Sequence, residues 1–313
     1  MSNGNLAAID LGTNSCRLLI TSGKGYAVYR KTTTTKLGEG LHGTGEFSPE
    51  AIKRGLTCLA EYADIMRDYS VVDYKAIATA ACRMAKNGND FVKTVEQLSG
   101  LRLDIVSPEE EAVLNVKGAR LNADKSAEYV LVYDLGGGST EITLATNSDN
   151  PKIIYTVSVP WGARNATEAF NLLEYDEENA LKLKAEVQKY TADFLQKSQL
   201  EKYRNKCEFM ATSSTPLRLV SMVRGLGSYN RYSVDGVAER VDEIDKKIAL
   251  IQKMNFTQMA ENPYIGDNRA RIFQAACVIF KTIYDDLNIK VMTASLKGAQ
   301  EAIINDLVRK WQI

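Results

Sequence analysis

The residues in this chain best suited to chemistry are the carboxylates of Asp134 and Glu141, which bracket the triplet Gly136-Gly137-Gly138 in the run Asp134-Leu135-Gly136-Gly137-Gly138-Ser139-Thr140-Glu141. An apolar stretch, residues 129–133, leads into the run, and Ile142-Thr143-Leu144 leads out. Two β-prone segments about a glycine-rich turn predict a hairpin. Glycines remove every Cβ from one face of such a turn, so successive backbone N–H groups can converge on an anion. Carboxylates on either side attract a hard cation such as Mg²⁺. Phosphate with Mg²⁺ is the chemistry this suggests. A plain glycine-rich hairpin is the competing reading.

A second copy lies near the start. Leu6-Ala7-Ala8-Ile9 ends in Asp10-Leu11-Gly12-Thr13-Asn14-Ser15, and Cys16-Arg17-Leu18-Leu19-Ile20 resumes a strand pattern. Asp10-Leu11-Gly12 matches Asp134-Leu135-Gly136, and both turns carry small hydroxyl residues. The repetition suggests two related domains facing each other across a phosphate, a motif-level hypothesis.

The elements that must position these turns alternate. Residues 26–35 read as a strand and the glycine-studded 37–47 as a loop. Ser48 and Pro49 start a helix whose buried stripe is Ile52, Leu56, Leu59, Ala63 and Met66. A strand at 74–78 follows. A helix capped by Asn89 or Asp90 runs to Gly100, and a strand covers 101–106. Strands alternating with helices make an α/β chain. The polar stretch 122–126 divides it into domains 1–122 and 123–313. In the second domain, 181–195 reads as a helix buried through Leu181, Leu183, Val187, Tyr190 and Phe194. A helix at 272–283 and a strand at 291–295 follow, and a closing helix at about 300–313 could pack on the first domain.

Three further sites carry ambiguous signals. Arg83 and Arg164 follow strands and small residues; an arginine there clamps phosphate or simply solvates a surface. Ser107-Pro108-Glu109-Glu110-Glu111 is a helix start in which Ser107 and Glu110 form a capping box. Capping and the helix dipole account for all three glutamates without catalysis.

Taken together, Asp10–Ser15 and Asp134–Glu141 resemble the two phosphate-loop motifs of the actin-like, sugar-kinase-like ATPase superfamily. More narrowly they resemble the exopolyphosphatase and guanosine pentaphosphate phosphohydrolase family. Ala78-Thr79-Ala80-Ala81-Cys82-Arg83, Ile105-Val106-Ser107-Pro108-Glu109-Glu110-Glu111-Ala112 and Val159-Pro160-Trp161-Gly162-Ala163-Arg164 match in the expected order. The resemblance implies two actin-like (ribonuclease H-like) domains with an active-site cleft between them. It implies release of terminal phosphate from polyphosphate or guanosine pentaphosphate, with Glu111 as catalytic base and Arg83 stabilising the transferred group. Gly12, Thr13, Asn14, Ser15, Gly136, Gly137, Gly138, Ser139 and Thr140 would cradle phosphate. Asp134, Glu141 and Asp10 would hold Mg²⁺, with Mn²⁺ as the alternative. The resemblance is compatible with a homodimer and places the chain among the short, two-domain members.

The sequence departs from the family pattern at Pro108, usually glycine, and at Val113, usually arginine. It also departs at 211–216, where relatives carry glycines, and at 294–298. A weakly catalytic sensor of guanosine tetraphosphate or polyphosphate is therefore an alternative. A small-molecule kinase is a further one, which would need a glycine-rich adenosine pocket that 211–216 does not supply.

Composition excludes other classes. The chain has 313 residues and a formal net charge of +0, so no global field recruits nucleic acid or a membrane. No apolar stretch approaches the ~20 residues of a membrane helix, and the start does not read as a secretory signal. Five widely spaced cysteines suggest free thiols in a cytoplasmic setting. His42 is the only histidine, which excludes a Ser–His–Asp hydrolase and a His-ligated zinc enzyme. The basic residues Arg30, Lys31, Lys36, Arg218, Arg224 and Arg231 are scattered, so short polyphosphate or a nucleotide is expected over very long chains.

Overall fold

The computed structural model describes residues 4–311. The first three residues of the polar start and the last two of the expected closing helix lie outside them. In chain order the elements are β1 (Asn5–Leu11), β2 (Cys16–Thr21), β3 (Ala27–Thr33), α1 (Leu41–Thr44), α2 (Pro49–Asp68), β4 (Val71–Ala78), α3 (Ala80–Met84), α4 (Gly88–Ser99), β5 (Leu103–Ile105) and α5 (Pro108–Ala119). They continue with β6 (Tyr129–Leu135), β7 (Thr140–Thr146), β8 (Ile153–Val159), α6 (Ala163–Ala169), α7 (Glu177–Ser198), β9 (Cys207–Thr212) and α8 (Ser214–Val223). The last are β10 (Val237–Arg240), α9 (Val241–Ile251), α10 (Phe256–Glu261), α11 (Asp267–Asp286), β11 (Val291–Ser295) and α12 (Ala299–Trp311). Two compact units result: residues 1–114 with 299–313, and residues 115–298. The division falls inside α5, ahead of the polar stretch 122–126.

The first unit holds a sheet of order β3-β2-β1-β4-β5. Strands β1, β2 and β3 form an antiparallel meander, and β4 and β5 run parallel to β1. The central strand β1 is buried on both faces, so it reads as an unbroken apolar run. Ala7, Ile9 and Leu11 join one cluster with Leu59, Tyr62 and Phe91; Leu6 and Ala8 join another with Ala302, Ile303 and Leu307 of α12. Successive side chains of a strand point to opposite faces, which is why neighbouring residues serve different clusters. The closing helix therefore packs within this unit, with the Gln300 amide donating to the Ala8 carbonyl at 3.0 Å.

Helix α2 starts as expected, its N-cap Ser48 Oγ accepting from Ala51 N at 3.2 Å with Pro49 in the first turn. Its buried face is Ala51, Gly55, Cys58, Leu59, Tyr62 and Met66. Ile52, Leu56 and Ala63 sit only at the margin of the core. Small residues let the helix approach the sheet, and Tyr62 OH then reaches the Cys16 carbonyl at 2.8 Å and Thr33 Oγ1 at 3.0 Å. Residues 37–47 are not wholly loop, since α1 adds a short turn between Gly40 and Gly45, both left-handed. Helix α4 begins after Asn87, not Asn89 or Asp90. The Asn87 amide instead bridges the Phe47 backbone at 2.9 and 3.0 Å.

The second unit repeats the plan with order β10-β11-β9-β6-β7-β8. Strands β6, β7 and β8 form the antiparallel meander, and β9 and β11 extend the sheet in parallel. A meander continued by parallel strands, with helices on both faces, is the ribonuclease H-like plan. Both units are actin-like α/β domains. On α7 the buried stripe runs Ala180, Leu183, Val187, Thr191 and Phe194. Leu181, expected inside, is 58% exposed. Helix α5 packs its Val116 and Ala119 against β6 and β9. A Cβ on Gly118 would stand 1.9 Å from the Gly298 carbonyl oxygen, so only glycine permits this approach of helix to turn.

No helix of the described residues is long and apolar enough to cross a membrane. All five cysteines are free.

Candidate active site

The two hairpin turns are built alike. In the first unit Gly12 N donates to the Ser15 carbonyl at 3.0 Å; in the second, Gly136 N donates to the Ser139 carbonyl at 3.0 Å. The sequence repetition is thus a repetition of backbone geometry. What differs is the residue across the ladder from each aspartate. Asp10 faces Arg17, and Asp134 faces Glu141.

That difference separates their chemistry. Asp10 Oδ2 accepts from Arg17 at 3.1 Å, a pair in which the negative charge already has a counterion. Asp134 and Glu141 are two carboxylates at directly opposed positions, which destabilises a ladder unless a cation intervenes. Both are anchored by neutral donors. Asp134 accepts from Thr212 Oγ1 at 2.6 Å and from Asn115 Nδ2 at 2.8 Å; Glu141 accepts from Ser158 Oγ at 2.9 Å. Ser158, Glu141, Asp134 and Thr212 stand in one register row across β8, β7, β6 and β9. Neutral hydroxyl and amide donors orient both carboxylates. The oxygen-only donor set suits a hard divalent cation.

The glycine turn between them is held from behind by α6. Ala163 N donates to the Gly136 carbonyl at 2.9 Å, Arg164 N to Gly137 at 2.8 Å, and the Asn165 side chain to Gly138 at 2.9 Å. The turn's carbonyls are thereby committed to one side, which leaves its N–H side for an anion. Gly162 touches the turn so closely that a Cβ there would lie 2.5 Å from both the Gly137 carbon and the Gly138 nitrogen. Thr140 Oγ1 donates to the Trp161 carbonyl at 2.8 Å, so this hydroxyl serves the scaffold.

In the first unit the turn of Thr13, Asn14 and Ser15 is buried and fastened by Gly38 N to the Thr13 carbonyl at 2.9 Å and Lys36 N to Asn14 at 3.0 Å. Arg83 lies in α3 just after β4. It is not a solvated arginine: its guanidinium donates to Glu111 Oε2 at 2.6 Å and to the Val106 carbonyl at 2.8 Å. Glu111 is 8% exposed at the start of α5. The capping box forms beside it, Ser107 N donating to Glu110 Oε2 at 2.8 Å and Glu110 N to Ser107 Oγ at 3.1 Å. Capping therefore occupies Glu110 and leaves Glu111 to Arg83.

Four residues that hold this arrangement carry no motif of their own: Asn115, Ser158, Asn165 and Thr212. Three are reached through the fold alone, by strand register or helix contact. Asn115 has a faint signal, lying one turn beyond Glu111 on the same helix. Arg164, which could have been a surface residue, is buried, with its guanidinium 3.6 Å from Glu168.

The 211–216 segment holds a strained backbone position. Ser213 adopts φ 92° and ψ 180°, a conformation natural only to glycine, and its Oγ is buried without a hydrogen-bond partner. Ser213→Gly is expected to raise stability by about 1 kcal/mol, strain relief exceeding the added entropy of the unfolded chain. An unchanged or lower urea midpoint would show that no strain is stored there.

The sequence pattern of the Ppx/GppA phosphatase family matches residues 19–311. The chain belongs to the Ppx/GppA phosphatase family. The match takes in Arg83, Glu111 and the whole Asp134–Glu141 hairpin. A bifunctional 3-dehydroquinate synthase/phosphatase of Fusobacterium nucleatum is 35% identical over 193 residues, which are 57% of this chain and 29% of that protein. The chain thus covers well under half of that relative's length. Among Ppx/GppA structures, the Aquifex aeolicus family member superposes with a TM-score of 0.78 at 22% identity, over 98% of each chain. An exopolyphosphatase from Cytophaga hutchinsonii gives 0.87 at 17% identity, again over 98% of each chain. These structures share their fold with this chain over 98% of its length.

Proposed function

We propose that this Ppx/GppA member is a metal-dependent phosphoanhydride hydrolase that releases terminal phosphate from short inorganic polyphosphate or guanosine pentaphosphate. The observation that carries the reading is the opposed pair Asp134 and Glu141, set beside a glycine turn whose carbonyls are tied away. Family membership and the exopolyphosphatase among its structural neighbours support the same class.

The residues divide the work. Asp134 and Glu141 would hold Mg²⁺, oriented by Asn115, Thr212 and Ser158. The cation, when bound, would neutralise charge on the transferring phosphoryl group. The N–H groups of Gly137, Gly138 and Ser139 take phosphate oxygens. Glu111 takes the proton of the attacking water. Arg83, bonded to Glu111 and to the Val106 carbonyl, holds that carboxylate in one orientation. The leaving phosphate needs no strong general acid, which accords with a chain whose only histidine is His42.

Phosphate release from pure polyphosphate, with Mg²⁺ and no acceptor, is the deciding measurement. It is run side by side on tripolyphosphate, long-chain polyphosphate and guanosine pentaphosphate. Release from none of the three would sink the hydrolase reading in favour of a sensor.

Asp134→Asn and Glu141→Gln should each raise the Mg²⁺ concentration for half-maximal activity by roughly tenfold or more, since each removes an anionic ligand. Unchanged Mg²⁺ dependence in both variants would remove the pair from the metal site.

A further inference from the structure

The two turns share a backbone form but are backed by different means. In the second unit the N-terminus of α6 ties the turn's carbonyls. In the first unit a loop does this work. Gly38 N takes the Thr13 carbonyl at 2.9 Å and Lys36 N takes that of Asn14 at 3.0 Å, both from the segment between β3 and α1. The loop lies hard against the turn: a Cβ on Gly38 would stand 2.3 Å from Thr13 Cγ2. Lys36 is held at φ 49°, a left-handed conformation that costs free energy in a residue with a side chain.

A loop in that conformation needs an outside hold, and α2 provides it. Thr35 is fully buried, so its carbonyl requires a partner within the protein. Arg54 Nε donates to it at 2.7 Å, and Arg54 Nη2 donates to the Lys36 carbonyl at 3.1 Å. The planar guanidinium spans two consecutive carbonyls, a geometry that the point charge of a lysine does not reproduce. Nη2 also meets Glu39 at 2.9 Å, but that side chain is 48% exposed and the ion pair contributes little. The hold is continuous: Arg54 takes the carbonyls of residues 35 and 36, and the N–H groups of residues 36 and 38 take the carbonyls of the turn.

We propose that Arg54 is a positioning residue for the reaction, fixing the Gly12–Ser15 turn through residues 35–38 in the form that receives a phosphate of the substrate. The inference rests on the proposed function for the nature of that ligand. Arg54 acts through the loop and not on the substrate.

The test compares the wild type, Arg54→Ala, Arg54→Lys and a control on the same helix, Arg67→Ala, which removes an exposed pair with Asp64. Steady-state rates on tripolyphosphate with Mg²⁺ are measured beside amide hydrogen exchange at Lys36 and Gly38. Arg54→Ala should raise KM roughly tenfold, the effect of losing hydrogen bonds from a charged donor, and should lower protection of both amides. Arg54→Lys should fall between it and the wild type, and Arg67→Ala should match the wild type. Loss of folded enzyme alone lowers the apparent kcat and leaves KM in place, so a fall in kcat at unchanged KM would overturn the proposal. So would a KM rise with undiminished protection at Lys36 and Gly38, or an equal KM rise in Arg67→Ala. If Arg54→Ala does not fold, Arg54→Lys decides alone: a raised KM supports the proposal and a wild-type KM overturns it. If the wild type hydrolyses nothing, the proposed activity fails. Calorimetric titration with tripolyphosphate then replaces KM, and wild-type affinity in Arg54→Lys and Arg54→Ala would sink the positioning role separately.

Discussion

Glu111→Gln is expected to lower kcat by about 10²–10⁴-fold while substrate binding persists, the usual cost of losing a general base. Glutamine keeps the shape of the side chain and can still bond a water, but it does not accept the proton. The neighbouring Glu110 is the control the structure supplies. Its carboxylate accepts from Ser107 N at 2.8 Å, closing the capping box that starts α5. Glu110→Gln should therefore cost at most about 1 kcal/mol of stability and leave kcat within a few-fold. Glu111, by contrast, is tied to Arg83 at 2.6 Å and serves no cap. Steady-state rates on tripolyphosphate for the two variants decide the matter. Near-wild-type turnover in Glu111→Gln with loss in Glu110→Gln would reverse the assignment.

Gly162→Ala should be nearly as damaging, although the residue carries no functional group. Its new Cβ would meet the Gly137 carbon and Gly138 nitrogen at 2.5 Å and the Ser139 nitrogen at 2.7 Å. All three are backbone atoms of the turn, and none can rotate away as a side chain would. The turn must shift, and a displacement of about 1 Å at a reacting centre costs on the order of 100-fold in rate. The overpacking itself should cost about 1–3 kcal/mol. kcat/KM and the urea midpoint measured on the same preparation separate the two effects. Activity within a few-fold of wild type would mean that the turn's geometry does not govern the reaction.

Much of this was open to sequence reasoning because it depends on neighbours along the chain. A glycine triplet between β-prone runs makes a hairpin whatever surrounds it, and Ser107 with Glu110 makes a capping box from four consecutive residues. The repeated Asp-Leu-Gly start also determined that the molecule would contain two related halves. The α2 and α7 stripes were misplaced by one position at several sites. Periodicity locates a helix face to within about a residue, and there small side chains such as Ala51 and Ala180, not large neighbours such as Ile52 and Leu181, are buried.

What tertiary structure alone decided is which charges are compensated. By sequence, Asp10 and Asp134 are equivalent members of a repeat, and each became a candidate metal ligand. Strand register then sets Arg17 opposite one and Glu141 opposite the other, so one aspartate is neutralised within its hairpin and the other is not. Likewise Arg83 is turned onto Glu111 and Arg224 onto Glu239. Electrostatic energy depends on distance in space, falling over a few ångströms in a partly buried site. Distance along the chain does not report it, so the sequence determined which groups are present and the fold determined which of them still lack a counterion.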